Sequence, residues 1–214
     1  MKEDILIIGL TGENSGGKGT IASFVTDHYK NYSTLNANTR EKILDIARGC
    51  NVDLSDRPAL SKFSDEYAER YGGAVYCEAF YMQAQLHKHR ILIIDSVRRV
   101  DEVRFIHKNN GLVVSVTADA NARFEWAKKR GTITDKVKTL KDFIDLDYKE
   151  ASPEPWGLNL AETMKLADVH LVNEESKEHF IEKLRQSLTP FIDAKLQKKP
   201  FSFQGVHGPG HGTC

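Results

Sequence analysis

The chain has 214 residues, of which 40% are hydrophobic and 28% are charged, and its 30 lysines and arginines balance 30 acidic residues. This composition is typical of a globular domain with a sizeable core, and zero net charge argues against a protein that coats nucleic acid or membranes through bulk electrostatics. The three cysteines are widely spaced, so no disulfide framework is expected. The apolar run at residues 5–10 is too short to span a membrane, and no signal peptide precedes it. We therefore expect a cytoplasmic monomer or homodimer that binds neither membranes nor nucleic acid.

Short apolar runs alternate with longer amphipathic stretches along the chain. Strands are predicted, in chain order, at residues 5–9, 32–35, 91–95, 112–117 and 169–173. Helices are predicted at residues 18–29, 40–48, 57–71, 75–89, 100–108, 120–130, 140–149 and 175–197. This alternation predicts an α/β fold with a five-stranded parallel sheet and helices on both faces. Residues 36–89 and 131–167 interrupt it, and such insertions at the carboxyl ends of strands usually cover a ligand site.

The strongest motif follows the first predicted strand and reads GENSGGKGT. It is the G-x-x-x-x-G-K pattern in its required context, with a strand before it and a helix after it. Glycines let the backbone curl so that N–H groups and the helix N-terminus face a phosphate, which the lysine reaches as a point charge. The predicted phosphate-binding residues are Gly12, Asn14, Ser15, Gly16, Gly17, Lys18, Gly19 and Thr20.

The G-K-G-T ending of this loop resembles that of adenylate kinases and related nucleoside monophosphate kinases. Gly19 lies where Ser or Thr normally contacts Mg²⁺, and the hydroxyl comes one residue later at Thr20. Waters and carboxylates are therefore expected to hold the Mg²⁺ that accompanies ATP, and Thr20 is expected to bond a phosphate oxygen.

A second motif ends the third predicted strand at Asp95, which we predict to hold Mg²⁺ directly or through water. An alternative is that Asp95 caps the next helix. The segment that follows reads DSVRRVDEV. It resembles the D-G-x-x-R element of nucleoside monophosphate kinases and, more closely, a stretch of an archaeal family of dephospho-CoA-kinase-like P-loop proteins, with Ser96 in place of the glycine. The resemblance makes Arg98 the candidate phosphate clamp, ahead of Arg99, because a planar guanidinium suits phosphate oxygens.

The segment from Arg123 to Gly131 resembles the start of the lid in that superfamily, which implies a lid at about residues 123–150. A helix puts Arg123 and Arg130 on one face, two turns apart. Both are predicted to neutralise charge on the transferring phosphoryl group. Asn173 ends the last predicted strand, and it either lies near the adenine or caps the turn after the strand.

In the same superfamily, residues after the second strand bind the acceptor phosphate, which implies an acceptor-binding insertion at about residues 36–89. Arg40, at the start of a predicted helix, is the first candidate, Arg57 is the second, and Arg70 is a weaker one. Tyr76, Phe80 and Tyr81 also lie in this insertion, where their spacing favours packing over a base-stacking surface.

Residues 198–214 are rich in glycine and histidine and show no periodicity. His207, His211 and Cys214 have spacing compatible with a metal, but a fourth ligand is missing from the segment, so the signal for zinc is weak. We expect a C-terminal tail that follows a kinase domain at residues 1–197.

Together these features predict a P-loop NTPase three-layer sandwich that carries ATP with Mg²⁺ and moves the γ-phosphate to a nucleotide-like small molecule. A nucleoside or deoxynucleoside monophosphate is the first expected acceptor. The alternatives are a dephospho-CoA-type kinase and a regulatory or sensor module with slow or no ATPase activity. A hydrolytic motor or GTPase is the least supported class, since the chain has no N-K-x-D guanine signature.

Overall fold

The computed structural model describes residues 4–55, 57–131, 137–151, 159–174 and 176–197, and the side chains at 57, 58, 146 and 149–151 lie outside this description. Its centre is a sheet of five parallel strands in the order β2-β3-β1-β4-β5. In chain order the strands are β1 (Leu6–Gly12), β2 (Thr34–Asn38), β3 (Ile91–Asp95), β4 (Leu112–Thr117) and β5 (Val169–Val172). The predicted parallel α/β sheet is therefore confirmed.

Helices connect the strands and cover both faces of the sheet. In chain order they are α1 (Lys18–His28), α2 (Thr39–Gly49), α3 (Arg57–Tyr71), α4 (Val75–Leu86), α5 (Val100–Lys108), α6 (Ala120–Lys129), α7 (Leu140–Ala151), α8 (Leu160–Lys165) and α9 (Lys177–Leu196). Three of them, α2 to α4, lie between β2 and β3 in the chain, and α6 to α8 lie between β4 and β5. No helix within the described ranges is long and apolar enough to cross a membrane.

Two predicted strands differ from the observed ones by more than one residue, for identifiable reasons. β1 continues to Gly12 because Thr11 and Gly12 pair with β4, which extends this central strand beyond its apolar run. β2 lies at Thr34–Asn38 rather than at 32–35, and it pairs with the whole of β3 in spite of its polar residues. The short helix α8 was not predicted as a separate element.

The sheet divides the interior into two hydrophobic cores. Leu6, Ile8 and Leu10 of β1 contribute to the core beneath α1 and α9, while Ile7 contributes to the core beneath α4 and α5. Successive strand residues point to opposite faces, so a strand buried on both sides must be apolar at every position. The continuous apolar runs of β1 and β3 therefore come from their central place in the sheet.

A third, smaller hydrophobic cluster lies outside these two cores. Phe124 and Ala127 of α6 pack with Val137 and with Phe143 of α7, and the rings of Phe124 and Phe143 are 5.7 Å apart. This cluster joins α6 to α7 but shares no buried residue with the two cores under the sheet. The two helices thus pack against each other through a cluster of their own.

The aromatic residues between β2 and β3 are packing residues, as predicted. Tyr76 and Phe80 of α4 are buried in the core, and the phenol of Tyr76 lies 3.3 Å from the hydroxyl of Ser64 in α3. Tyr81 meets the ring of Phe105 edge to face at 5.9 Å. These contacts fix α4 against α3 and α5.

Truncation of Ile8 should destabilise the fold strongly. Ile8 is fully buried in the central strand, so Ile8→Ala is expected to lower the free energy of unfolding by about 3 kcal/mol through lost transfer energy and a residual cavity. Urea unfolding followed by circular dichroism measures the change. Met82→Ala, at a side chain that is 68% exposed, is the control and should change stability by less than about 0.5 kcal/mol. Equal effects of the two substitutions would contradict this account of the core.

Candidate functional site

The glycine-rich motif forms a tight loop between β1 and α1. Its backbone adopts positive φ angles at Gly12 (135°), Ser15 (61°) and Gly17 (119°), and the N–H of Gly16 donates to the carbonyl of Glu13 at 3.2 Å. A chain that alternates between such conformations curls around its own N–H groups, which is the geometry of an anion-binding loop. Ser15 adopts a left-handed conformation without being glycine, as do Asn51, Lys88 and Asn110 in other turns of the chain.

Two glycines of this loop are required by steric limits. A Cβ atom on Gly12 would lie 2.1 Å from the carbonyl oxygen of Val116, and one on Gly17 would lie 2.7 Å from the side-chain nitrogen of Asn173. At Gly19, by contrast, a Cβ atom would meet nothing within 4 Å. The conformation of the loop therefore requires glycine at positions 12 and 17, whereas Gly19 borders open space at the start of α1.

The N-terminus of α1 has no side-chain cap, as is also true of α4, where Ala74 occupies the N-cap position. Gly17 occupies the N-cap position and makes no capping bond. In α2, α6, α8 and α9, by contrast, backbone N–H groups of the first turn donate to the side chain of the N-cap residue, which is Asn38, Asp119, Asn159 and Ser176 in turn. Uncapped N–H groups carry the positive end of the helix dipole, so this terminus is suited to bind an anion such as phosphate.

The ammonium group of Lys18 lies at the mouth of the loop. Its Nζ donates to the carbonyl oxygens of Gly12 and Glu13, each at 2.8 Å. The backbone thus holds the cation beside the uncapped terminus of α1. An ammonium kept there by neutral carbonyls can exchange them for the oxygens of a phosphate, which carry full charge.

Asn173 lies directly against the phosphate-binding loop. Its Nδ2 donates to the carbonyl of Gly16 at 3.1 Å, and its backbone N–H donates to the carbonyl of Thr117 at 2.8 Å. The interpretation of Asn173 as a cap after β5 therefore describes its contacts in this structure. Its nearness to an adenine stays a prediction.

Arg130 faces the start of α1 across an open cavity of about 570 Å³. The residue is exposed, occupies the C-cap position of α6, and lines the cavity together with Gly17, Gly19 and Thr20. Lys177, the first residue of α9, contributes a further cation to the wall. Arg185 of α9 and Asp27 of α1 also line it, so the cavity connects the loop to three positive side chains and one carboxylate.

Asp95 lies at the same edge of the sheet as the loop. In the sheet register it is beside Leu10 of β1 and Asn38 of β2, and its Oδ1 accepts from the hydroxyl of Ser96 at 2.8 Å. The N–H of Val97 donates to the carbonyl of Leu10 at 2.8 Å, which fixes the segment after β3 against the central strand. No cluster of three or more metal-binding side chains occurs in the described part of the chain, so Asp95 belongs to no such cluster there.

The backbone of Arg98 and Arg99 is held by one buried carboxylate, that of Glu102. Its Oε2 accepts from the N–H of Arg98 at 2.7 Å and from the N–H of Arg99 at 3.0 Å. Burial raises the pKa of Glu102 above its ordinary value, while Arg99 and these backbone N–H groups act in the opposite direction. Apart from its place in the DSVRRVDEV motif, nothing in the sequence indicated Glu102 as a site residue.

The two neighbouring arginines differ in what their side chains contact. Arg99 is 6% exposed and its guanidinium donates to the carboxylate of Asp65 at 2.5 Å and to the hydroxyl of Ser64 at 3.3 Å. It ties α3 to the segment after β3, which makes it a structural residue. Arg98 is half-buried at the carboxyl edge of the sheet, and its carbonyl accepts from the N–H of Asn159.

Arg40 is exposed at the start of α2, immediately after β2. The N-terminus of this helix is capped, because Asn38 Oδ1 accepts from the N–H groups of Arg40 and Glu41 at 2.9 and 3.2 Å. A capped terminus has fewer donors left for a ligand. Only the guanidinium of Arg40 remains as the candidate group. The side chain of Arg57 and residues 198–214, including His207, His211 and Cys214, lie outside the described residues.

The placement of Arg123 does not fit the predicted contact with a transferring phosphoryl group. Its side chain is 4% exposed, and the guanidinium donates to the carbonyls of Ala118 and Asn14 and to the carboxylate of Asp147. The helical spacing predicts that Arg123 shares a helix face with Arg130, but it does not show that the side chain is buried against the phosphate loop. Asp147, its partner, was not predicted as a site residue.

Comparisons with known proteins agree with this architecture. No protein-family model matches the chain. It is 27% identical over 190 residues to a UPF0200/UPF0201 protein of Archaeoglobus fulgidus, covering 86% of this chain and 55% of that protein. It is 32% identical over 122 residues to a UPF0200 protein of Hyperthermus butylicus, covering 56% of this chain and 62% of that protein. It is 24% identical over 203 residues to a UPF0200 protein of Methanocaldococcus jannaschii, covering 93% of this chain and 97% of that protein. The chain thus spans a little over half the length of the first two relatives.

Solved structures show the same fold at low sequence identity. Shikimate kinase from Bacteroides thetaiotaomicron superposes with a TM-score of 0.53 at 14% identity, covering 86% of this chain and 98% of that one. The protein TT1252 from Thermus thermophilus superposes with a TM-score of 0.55 at 18% identity, covering 87% and 97%. The chain therefore has the predicted P-loop kinase-like fold, and the subfamily within it stays a prediction.

Replacing Glu102 by glutamine should change how stability depends on pH. The raised pKa of Glu102 in the folded state means that its ionisation reduces folding stability as pH rises from about 4 through the folded value. Glu102→Gln keeps an oxygen for the N–H groups of Arg98 and Arg99 but cannot ionise. The free energy of unfolding of the variant, relative to wild type, should therefore increase between about pH 4 and pH 7, by about 1.4 kcal/mol for each unit by which the pKa is raised.

Urea unfolding at several pH values measures this difference. Glu66→Gln, at a side chain that is 61% exposed, is the matched control and is expected to follow the wild-type profile. A relative stability of Glu102→Gln that stays constant or falls with pH would contradict the assignment.

Proposed function

We propose that the protein is an ATP-dependent phosphotransferase that moves the γ-phosphate to a nucleotide-like small molecule, with a nucleoside or deoxynucleoside monophosphate as the first expected acceptor. The observation that supports this most is the uncapped N-terminus of α1 beside the ammonium of Lys18. The P-loop kinase-like fold is consistent with it. The acceptor class rests on the arginines at the edge of the sheet.

The residues around the loop fit ATP with Mg²⁺. The curled backbone, the uncapped helix and Lys18 would bind the β- and γ-phosphates. Asp95 would hold Mg²⁺, directly or through water, and Thr20 would bond a phosphate oxygen. When bound, Mg²⁺ supplies positive charge that neutralises the phosphate oxygens during transfer.

Positioning and charge would account for most of the catalysis. Lys18 is held at the phosphate loop, and Arg130 lines the cavity at the start of α1, so both would stabilise charge on the transferring phosphoryl group. Arg98, after β3, would clamp the phosphate from the acceptor side. A phosphate acceptor is already nucleophilic, so this reaction needs no general base.

The acceptor would bind over β2 and β3, the half of the sheet away from β4 and β5. Arg40 begins α2 at the end of β2, and Asp95 and Arg98 follow the neighbouring β3. Arg57, whose side chain is not described, stays a second candidate for the acceptor phosphate. The ion pair between Arg99 and Asp65 attaches α3 to the segment after β3. The position of α3 would therefore set the width of this acceptor site.

A sensor module with slow or no ATPase activity is the second candidate. Two observations favour it: Ser96 replaces the glycine of the kinase element, and Arg123 is buried in contacts within the protein rather than presented to a ligand. A dephospho-CoA-type kinase differs from the main proposal only in the acceptor. One assay can therefore compare all three.

The test is ADP release in the presence of ATP and Mg²⁺, with a panel of acceptors: AMP, CMP, UMP, GMP, their deoxy forms and dephospho-CoA. One acceptor should raise the rate well above that with ATP alone. If no acceptor does so while ATP still raises the unfolding temperature, the sensor function is supported instead. If ATP neither reacts nor stabilises the protein, both proposals fail.

Removing the ammonium of Lys18 should abolish most of the activity. Lys18→Ala is expected to lower turnover by at least about 100-fold, the size of a typical loss when one transition-state contact is removed. Lys165→Ala, at a lysine that is 74% exposed on α8, is the matched control and should keep the wild-type rate. Circular dichroism should show that both variants are folded. Unchanged turnover in Lys18→Ala would remove this residue from the mechanism.

A further inference from the structure

We propose that Arg123 and Asp147 form an internal clamp through which ATP binding and the packing of α6 against α7 stabilise each other. This inference rests on the proposed function in one respect, that ATP is the ligand of the phosphate loop. It assigns Arg123 and Asp147 as positioning residues that act through the loop.

The guanidinium of Arg123 connects three parts of the chain. Its Nη1 donates to the carbonyl of Asn14 in the phosphate loop at 3.1 Å and to Asp147 Oδ2 at 2.5 Å, and its Nε donates to the carbonyl of Ala118 at 3.0 Å. Nε also lies 3.4 Å from the carboxylate of Glu13, which precedes Asn14 in the phosphate loop. The side chain extends back towards the start of α6, as helical side chains do, and so reaches the loop.

Asp147 completes the connection from the other helix. Its Oδ1 accepts from the amide of Asn14 at 3.3 Å, while its Oδ2 accepts from Arg123. The carboxylate of α7 therefore contacts both the phosphate loop and α6. Its side chain is 15% exposed, so water provides little alternative solvation for either charge.

Burial makes this connection cooperative. The side chain of Arg123 is 4% exposed, and its guanidinium carbon lies 5.4 Å from the centre of the Phe143 ring. If α7 moved away from α6, both Arg123 and Asp147 would lose their partner in a poorly solvated place, which is unfavourable. The ion pair therefore favours one arrangement of the two helices and the loop.

The small hydrophobic cluster of α6 and α7 has its own packing, separate from the two main cores. The contacts of Arg123 and Asp147 with Glu13 and Asn14 join this cluster to the loop after β1. A ligand that fixes the loop would thus also stabilise α6 against α7. Arg130 occupies the C-terminal end of α6. By fixing α6, the same clamp would also hold Arg130 at the cavity beside the start of α1.

The experiment compares wild type, Asp147→Asn and Arg123→Lys with the control Asp45→Asn. Asp45 forms an exposed ion pair with Arg48 at 2.9 Å, so the control removes a similar contact where nothing is coupled to it. Isothermal titration gives the dissociation constant of MgATP, and hydrogen exchange followed by mass spectrometry reports the protection of α7 with and without MgATP. ADP-release kinetics separate the KM for ATP from the KM for the acceptor.

We expect MgATP to slow exchange in both the phosphate loop and α7 of the wild type and of Asp45→Asn. In Asp147→Asn and Arg123→Lys, MgATP should bind about tenfold more weakly and should protect the loop while leaving exchange in α7 nearly unchanged. The KM for the acceptor should stay at its wild-type value. A merely structural contact would lower stability without removing the effect of MgATP on α7.

Two results would overturn the clamp. The first is wild-type MgATP affinity together with wild-type protection of α7 in both variants, which leaves the proposed function intact. The second is a wild type that binds no MgATP, which overturns the proposed function together with the clamp. If both variants fold poorly, Asn14→Ala replaces them, since it keeps the ion pair and removes only the amide contact with Asp147. It should reduce the protection of α7 by MgATP, and unchanged protection would again contradict the clamp.

Discussion

The N-terminus of α1 has no side-chain cap, and the rest of the candidate site is arranged around the positive end of this helix. The apolar strand β1 fixes its position, because a strand buried on both faces at the centre of the sheet cannot shift without exposing two cores. Positive φ angles at Gly12 and Gly17 then turn the chain into the helix. The ammonium of Lys18 adds a full charge to the partial charges of the backbone. Because these features are built into the backbone, the site can exist before any ligand arrives.

The arginines near this site divide into two groups according to burial. Arg99 and Arg123 are buried and paired with carboxylates, and each joins a helical segment to a loop at the edge of the sheet. Arg40 and Arg130 are exposed on the two sides of the loop, where a ligand can reach them. A guanidinium serves both purposes, because its planar set of donors binds a carboxylate within the protein as well as a phosphate outside it. The buried arginines thus provide the rigid frame on which the exposed ones are held.

Much of the fold could be predicted from strong local patterns in the sequence. Contacts between residues far apart in the sequence could not be predicted in this way. β3 and β4 lie where their apolar runs indicate, and the loop with Lys18 lies between a strand and a helix as its motif requires. β2 is displaced because its pairing with β3 outweighs its polar composition. The spacing of Arg123 indicated which face of the helix it occupies, but its burial depends on α7, which follows it by many residues. Asp147 was missed for the same reason: a carboxylate on an amphipathic helix is usually exposed, and only tertiary packing shows otherwise.

The glycines of the phosphate loop differ in how much space the protein leaves for a side chain. At Gly12 and Gly17 the protein itself excludes a side chain, through the carbonyl of Val116 and the amide of Asn173. At Gly19 the protein leaves room for one. Any intolerance of alanine at that position is therefore expected to originate in a ligand and not in packing within the protein. The side chains that are tolerated at Gly19 without loss of ligand binding would therefore show how closely a ligand approaches the start of α1.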